Sequence, residues 1–218
     1  MNILHTNIEN YLNNLYKLES GELGRLQQFA YDNQLPIIKP DTVQFLKTIL
    51  ALKKPKDILE IGCLIGFSAS LMASYNNNIH VTTIDRYDLM IQEAKANFKN
   101  LGLLDKITII EGSAIYILEN MKNNNLFDLI FLDASKGQYI NFLPHCLRLL
   151  RPGGVLISDN ILQSGDIAKK PEQIIKRHRT IYNNMQEFLY AITNTDNLET
   201  SIIPIGDGIG LTVKENTN

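Results

Sequence analysis

The sequence predicts an α/β fold: a doubly wound, mainly parallel seven-stranded sheet with a C-terminal antiparallel hairpin and an N-terminal helical appendage. Three observations predict it. Over residues 56–158, short apolar runs alternate with amphipathic ones, the pattern of right-handed βαβ units. The apolar runs are nearly continuous, as strands covered on both faces require. After residue 160 the rhythm breaks, and Gly206-Asp207-Gly208 separates two strand-like segments as a hairpin turn would.

The 218 residues suit one domain, with 1–55 as the helical appendage and 56–218 as the core. A composition 44% hydrophobic and 20% charged is enough to bury that core. The net charge of −2 excludes a global pull toward nucleic acid or anionic membrane, so a polyanion would need a local patch. The two cysteines, Cys63 and Cys146, form neither a metal spacing nor a disulfide framework, which points to a reducing compartment. The N-terminal residues lack a signal peptide's basic start and apolar core, and no apolar run approaches the roughly 18 residues of a membrane span. A cytoplasmic protein with no membrane partner is expected.

The elements follow in order. Apolar positions at Ile3, Leu4, Ile8, Tyr11, Leu12 and Leu15 predict a helix over 3–18. A second helix covers 21–33 and closes before Pro36. A third covers 41–52, with Asp41 as N-cap. Strands are predicted at 57–61, 79–84, 106–110, 127–132 and 155–158. The helices between them fall at 67–75, 88–101, up to 121, and 139–150. Pro152-Gly153-Gly154 reads as a turn before the fifth strand. A long amphipathic helix over 171–193 carries Ile174, Ile181, Met185, Phe188, Leu189 and Ile192 on one side, and strands at 200–204 and 208–213 end the chain.

In open parallel sheets, ligands bind past the carboxyl ends of the strands. Gly62 and Gly66 follow the first strand there, spaced Gly-x-x-x-Gly. The tight dinucleotide loop needs a central glycine that this spacing lacks. Asp85 ends the second strand and is suited to accept hydrogen bonds from both hydroxyls of a ribose. Glu60, read as part of the loop, adds negative charge that favours a cationic sulfonium ligand over a pyrophosphate. Asp133 and Asp159-Asn160 follow the fourth and fifth strands. Two carboxylates and an amide, without Cys or His, are hard oxygen donors suited to Mg²⁺, Mn²⁺ or Ca²⁺ rather than Zn²⁺. Lys136, three residues beyond Asp133, is placed to act as a general base. The blander readings are a βα turn for the glycines and capping or turn roles for the aspartates. His5, His80, His145 and the two cysteines read as packing or surface residues.

Glu60-Ile61-Gly62-Cys63-Leu64-Ile65-Gly66-Phe67-Ser68 resembles the first motif of class I S-adenosylmethionine-dependent methyltransferases, and Glu111-Gly112-Ser113-Ala114 resembles the segment that flanks their adenine. That resemblance implies a Rossmann-like fold. It implies that Gly62, Gly66, Ser68 and Glu60 lie at the methionyl end of S-adenosylmethionine, Asp85 at its ribose, and Ser113 and Ala114 at its adenine. It implies further contacts from Ile38 and Asp133. Asp133, Lys136, Asp159 and Asn160 narrow the resemblance to the metal-dependent O-methyltransferases that include the catechol and caffeoyl-CoA enzymes, over about residues 35–214. This implies Asp133, Asp159 and Asn160 as metal ligands, Lys136 and Asp133 as catalytic residues, and a homodimer. Ser135 departs from the aspartate usual in the caffeoyl-CoA branch.

Within that family, Asp133-Ala134-Ser135-Lys136-Gly137-Gln138-Tyr139, followed by Asn141-Phe142, is most similar to the bacterial tRNA 5-hydroxyuridine methyltransferases. That similarity implies methylation of wobble 5-hydroxyuridine to 5-methoxyuridine. A basic cluster of Lys169, Lys170, Lys176, Arg177 and Arg179, with His178, would then meet the phosphates of a tRNA anticodon loop. A small catechol-type acceptor is the alternative, since both substrates offer two adjacent oxygens. A non-catalytic RNA- or cofactor-binding module is a third reading, opposed by the intact set of acidic residues and lysine.

Overall fold

The computed structural model describes residues 5–122 and 127–216. Among the described residues there are eight α-helices: α1 (Thr6–Leu15), α2 (Gly21–Asp32), α3 (Pro40–Lys53), α4 (Phe67–Tyr75), α5 (Asp88–Asn100), α6 (Ala114–Asn120), α7 (Tyr139–Leu149) and α8 (Arg179–Asn194). The strands are β1 (Asp57–Ile61), β2 (His80–Asp85), β3 (Ile107–Glu111), β4 (Phe127–Leu132), β5 (Leu150–Ser158), β6 (Leu198–Ile203) and β7 (Ile209–Lys214). They form a seven-stranded sheet in the order β3-β2-β1-β4-β5-β7-β6. The pairs β1–β2, β2–β3 and β4–β5 are parallel, and β5–β7 and β6–β7 are antiparallel. The expected α/β architecture with its terminal hairpin is therefore the observed one.

The chain divides into two compact units, Thr6–Ala114 and a second that begins at Ile115. In the first, α4 packs on β2 and β3 and against α2 and α3. Its nine residues include no charged side chain, and Phe67, Ala69, Leu71, Met72 and Ala73 are buried. A helix that is apolar on most sides belongs inside a protein. In the second unit, α7 packs on β4 and β5, and α8 packs on α7 and β6. The edge-to-face pair Tyr139–Phe188, 5.4 Å between centroids, lies in this core.

Four expectations need correction. The first helix is shorter than predicted and buries none of its residues; Ile3 and Leu4 lie outside the described residues. Asp41 does not cap α3: Pro40 occupies the first turn, where its missing N–H costs nothing, and Lys39 is the cap. Pro152-Gly153-Gly154 is not a separate turn but an irregularity inside β5. Leu150 pairs with Phe127 and Val155 with Leu129, so β5 advances five positions where β4 advances two. Gly153, at φ 71, absorbs part of the excess. Finally, the helix predicted over 171–193 begins only at Arg179. Pro171 forces Lys170 to an extended ψ of 147, and Ile174 and Ile175 remain extended. That conformation buries Ile174 and leaves Ile175 exposed. Residues 171–173 and 176–178 form only short 3-10 turns.

Candidate active site

In the first unit, the glycine turn joins β1 to α4. Gly62 has φ 102 and Gly66 has φ 81, conformations that disfavour any side chain. A Cβ on Gly66 would lie 2.4 Å from Phe98 Cε1 and 3.3 Å from Ala94 Cβ. The close approach that requires this glycine is therefore to α5.

Glu60 lies on β1 rather than in the loop and is fully buried. Its Oε1 accepts from Ser68 Oγ and its Oε2 from Thr83 Oγ1, both at 2.5 Å. Two charge-assisted bonds offset much of the cost of burying a carboxylate. Asp85, at the end of β2, accepts four backbone hydrogen bonds. Its Oδ2 accepts from the N–H groups of Cys63 and Leu64 at 2.9 and 3.0 Å. Its Oδ1 accepts from Arg86 N and Tyr87 N at 2.7 and 3.1 Å. A carboxylate has about four acceptor sites, so this one is fully used: Oδ2 fastens the glycine turn and Oδ1 the turn that follows β2. Receiving a ribose would require it to exchange some of those bonds.

The remaining expected cofactor residues of this unit are Ile38, Ser113 and Ala114. Ile38 is buried ahead of α3. Ser113 is exposed, and Ala114 opens α6. Gly112, with φ 143, donates its N–H to the Asp85 carbonyl at 2.8 Å, which ties this segment to the end of β2.

The second unit holds the other cluster. Leu132 on β4 is in register with Ser158 on β5, so Asp133 and Asp159 each stand one residue past a paired strand end. Asp159 N donates to the Leu132 carbonyl at 3.0 Å, extending the ladder. Asn160 takes φ 55, a left-handed turn, and donates its N–H to Asp159 Oδ1 at 2.7 Å. Lys136 Nζ lies 2.7 Å from Asp133 Oδ1 and 3.2 Å from Tyr139 Oη.

Asp159 is 2% exposed. Burial, and then the neighbouring Asp133 carboxylate, raise its pKa to about 7 against the opposing pull of Lys136. Asp207 adds to that rise. Two carboxylates whose charges oppose one another, one of them desolvated, suit a divalent cation chemically, and Asn160 adds an amide at the same turn. No set of three His, Cys, Asp or Glu forms a metal cluster among the described residues.

Two participants escaped the sequence reading. Tyr139 is fully buried, and burial pushes its phenol well above the ordinary range, so it keeps its proton. Its spacing from Lys136, one helical turn, is the sequence signal that could have found it. Asp207 lies in the Gly206-Asp207-Gly208 segment that the sequence predicts as a hairpin turn. In the structure its carbonyl accepts from Leu162 N at 3.0 Å and its carboxylate from Ser164 N at 2.5 Å, which clamps the segment after Asn160. The basic residues Lys169, Lys170, Lys176, Arg177 and Arg179 are exposed; the first four precede α8, which Arg179 opens.

A mainly parallel sheet of this kind presents its ligand-binding groups past the carboxyl ends of its strands, where both clusters lie. Residues 15–215 match the model of the O-methyltransferase family, and the chain belongs to that family. It is similar to caffeoyl-CoA O-methyltransferase 5 of Nicotiana tabacum, 30% identical over 179 residues, which cover 78% of this chain and 74% of the relative. It is also similar to a catechol O-methyltransferase of Niastella koreensis, 29% identical over 171 residues and covering 76% and 77% of the two chains. The crystal structure of a provisionally named caffeoyl-CoA O-methyltransferase from Staphylococcus aureus superposes with a TM-score of 0.86 at 32% identity, covering 94% of this chain and 98% of that one. The protein is an S-adenosylmethionine-dependent O-methyltransferase, which removes the non-catalytic reading. No helix among the described residues is long and apolar enough to cross a membrane.

Proposed function

We propose that this chain methylates a hydroxyl flanked by a second oxygen, with a divalent cation as helper, and that its acceptor is a free small molecule of the catechol class. The observation that carries this reading is the cluster of Asp133, Lys136 and Asp159 at two adjacent strand ends, in a chain similar to caffeoyl-CoA and catechol enzymes. Asp133, Asp159 and Asn160 would hold Mg²⁺, Mn²⁺ or Ca²⁺. Such an ion, when bound, would orient two adjacent acceptor oxygens and make the hydroxyl more acidic.

The glycine turn around Gly62 would hold the methyl donor, with Asp85 exchanging some of its bonds for the ribose, while Glu60 and Ser68 fasten that turn from beneath. S-adenosylmethionine supplies a sulfonium methyl: the deprotonated acceptor oxygen forms the new C–O bond as the C–S bond breaks, and the electron pair stays on sulfur as a neutral thioether. The chain's own work is to bring the oxygen to about 3 Å from the methyl carbon, in line with sulfur. Lys136 would handle the proton or the resulting oxyanion, held in place by Asp133.

A second reading is methylation of wobble 5-hydroxyuridine in tRNA. The observation in its favour is the exposed basic segment from Lys169 to Arg179, which runs ahead of α8 and into its first residue. Its O5 hydroxyl and O4 carbonyl would meet the same donor set. A homodimer belongs to both readings, and light scattering tests it.

One paired assay separates the acceptors. The protein is incubated with labelled S-adenosylmethionine and Mg²⁺, once with a catechol and once with tRNA carrying 5-hydroxyuridine. Efficient catechol turnover with no 5-methoxyuridine supports the first reading. Formation of 5-methoxyuridine, with only weak catechol turnover, replaces it with the second.

A further inference from the structure

We propose that Tyr139 is a positioning residue, whose hydroxyl sets both the Lys136 side chain and the two strand ends that carry Asp133, Asp159 and Asn160. This rests on the reading of those residues given above. The phenol oxygen lies 3.0 Å from the Leu132 carbonyl and 3.0 Å from the Asp159 carbonyl. Leu132 immediately precedes Asp133, and Asp159 immediately precedes Asn160. One hydroxyl proton is thus shared between the backbone of β4's end and that of β5's end. The same oxygen accepts from Lys136 Nζ at 3.2 Å, and that ammonium also bonds Asp133 Oδ1 at 2.7 Å.

The ring cannot drift. Tyr139 is fully buried, and Phe188 of α8 meets its ring edge to face at an interplanar angle of 74°. The turn that carries Lys136 is fastened separately, because Asn184 Nδ2 donates to the Gly137 carbonyl at 2.7 Å. Packing therefore locates the ring, which itself lies 5.4 Å from Lys136 Nζ, and the hydroxyl is the one group of the side chain that bonds both strand ends. A shell of this kind is what holds ligating groups in a productive geometry.

Tyr139→Phe keeps the ring and removes only the hydroxyl. Mn²⁺ affinity is read first, by calorimetry on the protein without acceptor, and should weaken by about 10- to 100-fold. The kcat should fall by a similar factor of about 10 to 100, while KM for the acceptor moves by less than about threefold. Affinity for S-adenosylmethionine should stay within about twofold, since no donor contact is removed. Phe188→Leu is the packing control: it loosens the ring while leaving the hydroxyl, and should lower Tm without the kcat loss. Wild-type Mn²⁺ affinity and kcat in Tyr139→Phe overturn the proposal, as does an equal kcat loss in Phe188→Leu. Asp159→Ala tests the underlying reading separately. If it still binds Mn²⁺ and turns over, the cation reading falls and this proposal with it. If it loses both while Tyr139→Phe does not, only the positioning role falls.

Discussion

Ser68 Oγ donates to Glu60 Oε1 across 2.5 Å, which fastens the first turn of α4 to the buried end of β1. The hydroxyl expected to meet the cofactor is committed to the strand beneath it. Ser68→Ala leaves a buried carboxylate short of one donor, with Thr83 still bonded to the other oxygen. The expected loss is about 1–3 kcal/mol of unfolding free energy, read by urea denaturation. An unchanged midpoint would show that Glu60 does not need this partner.

Gly66→Ala should destabilise the protein by roughly 2–4 kcal/mol, since it combines overpacking against Phe98 with a positive φ. Phe98→Leu should recover part of that loss, because it removes the ring atoms nearest the new Cβ. A double-mutant cycle measures the coupling. Strict additivity of the two changes would refute the Phe98 contact as the reason for the glycine.

Asp159→Ala should lower kcat by at least about 100-fold and weaken Mg²⁺ binding, while affinity for S-adenosylmethionine stays near wild type. Asp159→Asn should do the same to turnover without lowering Tm in chelator. It removes a charge that is 2% exposed and opposed by Asp133, and keeps the side chain's shape. Thermal unfolding in EDTA, alongside turnover with Mg²⁺, checks both halves.

The cysteines give a pH prediction. Burial raises the Cys63 thiol, helped by the Glu60 charge, and pushes Cys146 up to about 12. An unfolded thiol ionises near 8.5. A folded pKa above the unfolded one contributes stability that is complete below about 8.5 and is lost as pH rises toward the folded value. For Cys146 that loss reaches roughly 2 kcal/mol by pH 10. Cys146→Ala should therefore show a shallower fall in stability between pH 8 and pH 11 than wild type. Neither thiol should react with a disulfide reagent until the protein unfolds.

The strands and most helices were legible because their signals are local. A period of two, a period of 3.6 and a glycine or proline at an end are all visible in a window of about ten residues. The helix over 171–193 misled for the same reason. Its apolar spacing is helical, but Pro171 and the burial of Ile174 hold the first turns extended. The strand-end placement of Asp133, Asp159 and Asn160 was legible from the apolar runs before them, while their role as ligands is what the family resemblance implies.

The sequence by itself determined the order of elements, the two acidic strand ends and the family motifs, because each depends on residues close together in the chain. Only the tertiary structure decided how each side chain is used. Asp85 bonds Cys63 and Leu64 from 22 and 21 residues away, and Tyr139 reaches Asp159 from 20. Such bonds form only when strand pairing brings distant segments within about 3 Å, and no local pattern encodes them. That is why Asp85 could be read as a ribose acceptor but not as the fastening of the glycine turn, and why Lys136 was legible while the buried tyrosine that holds it was not.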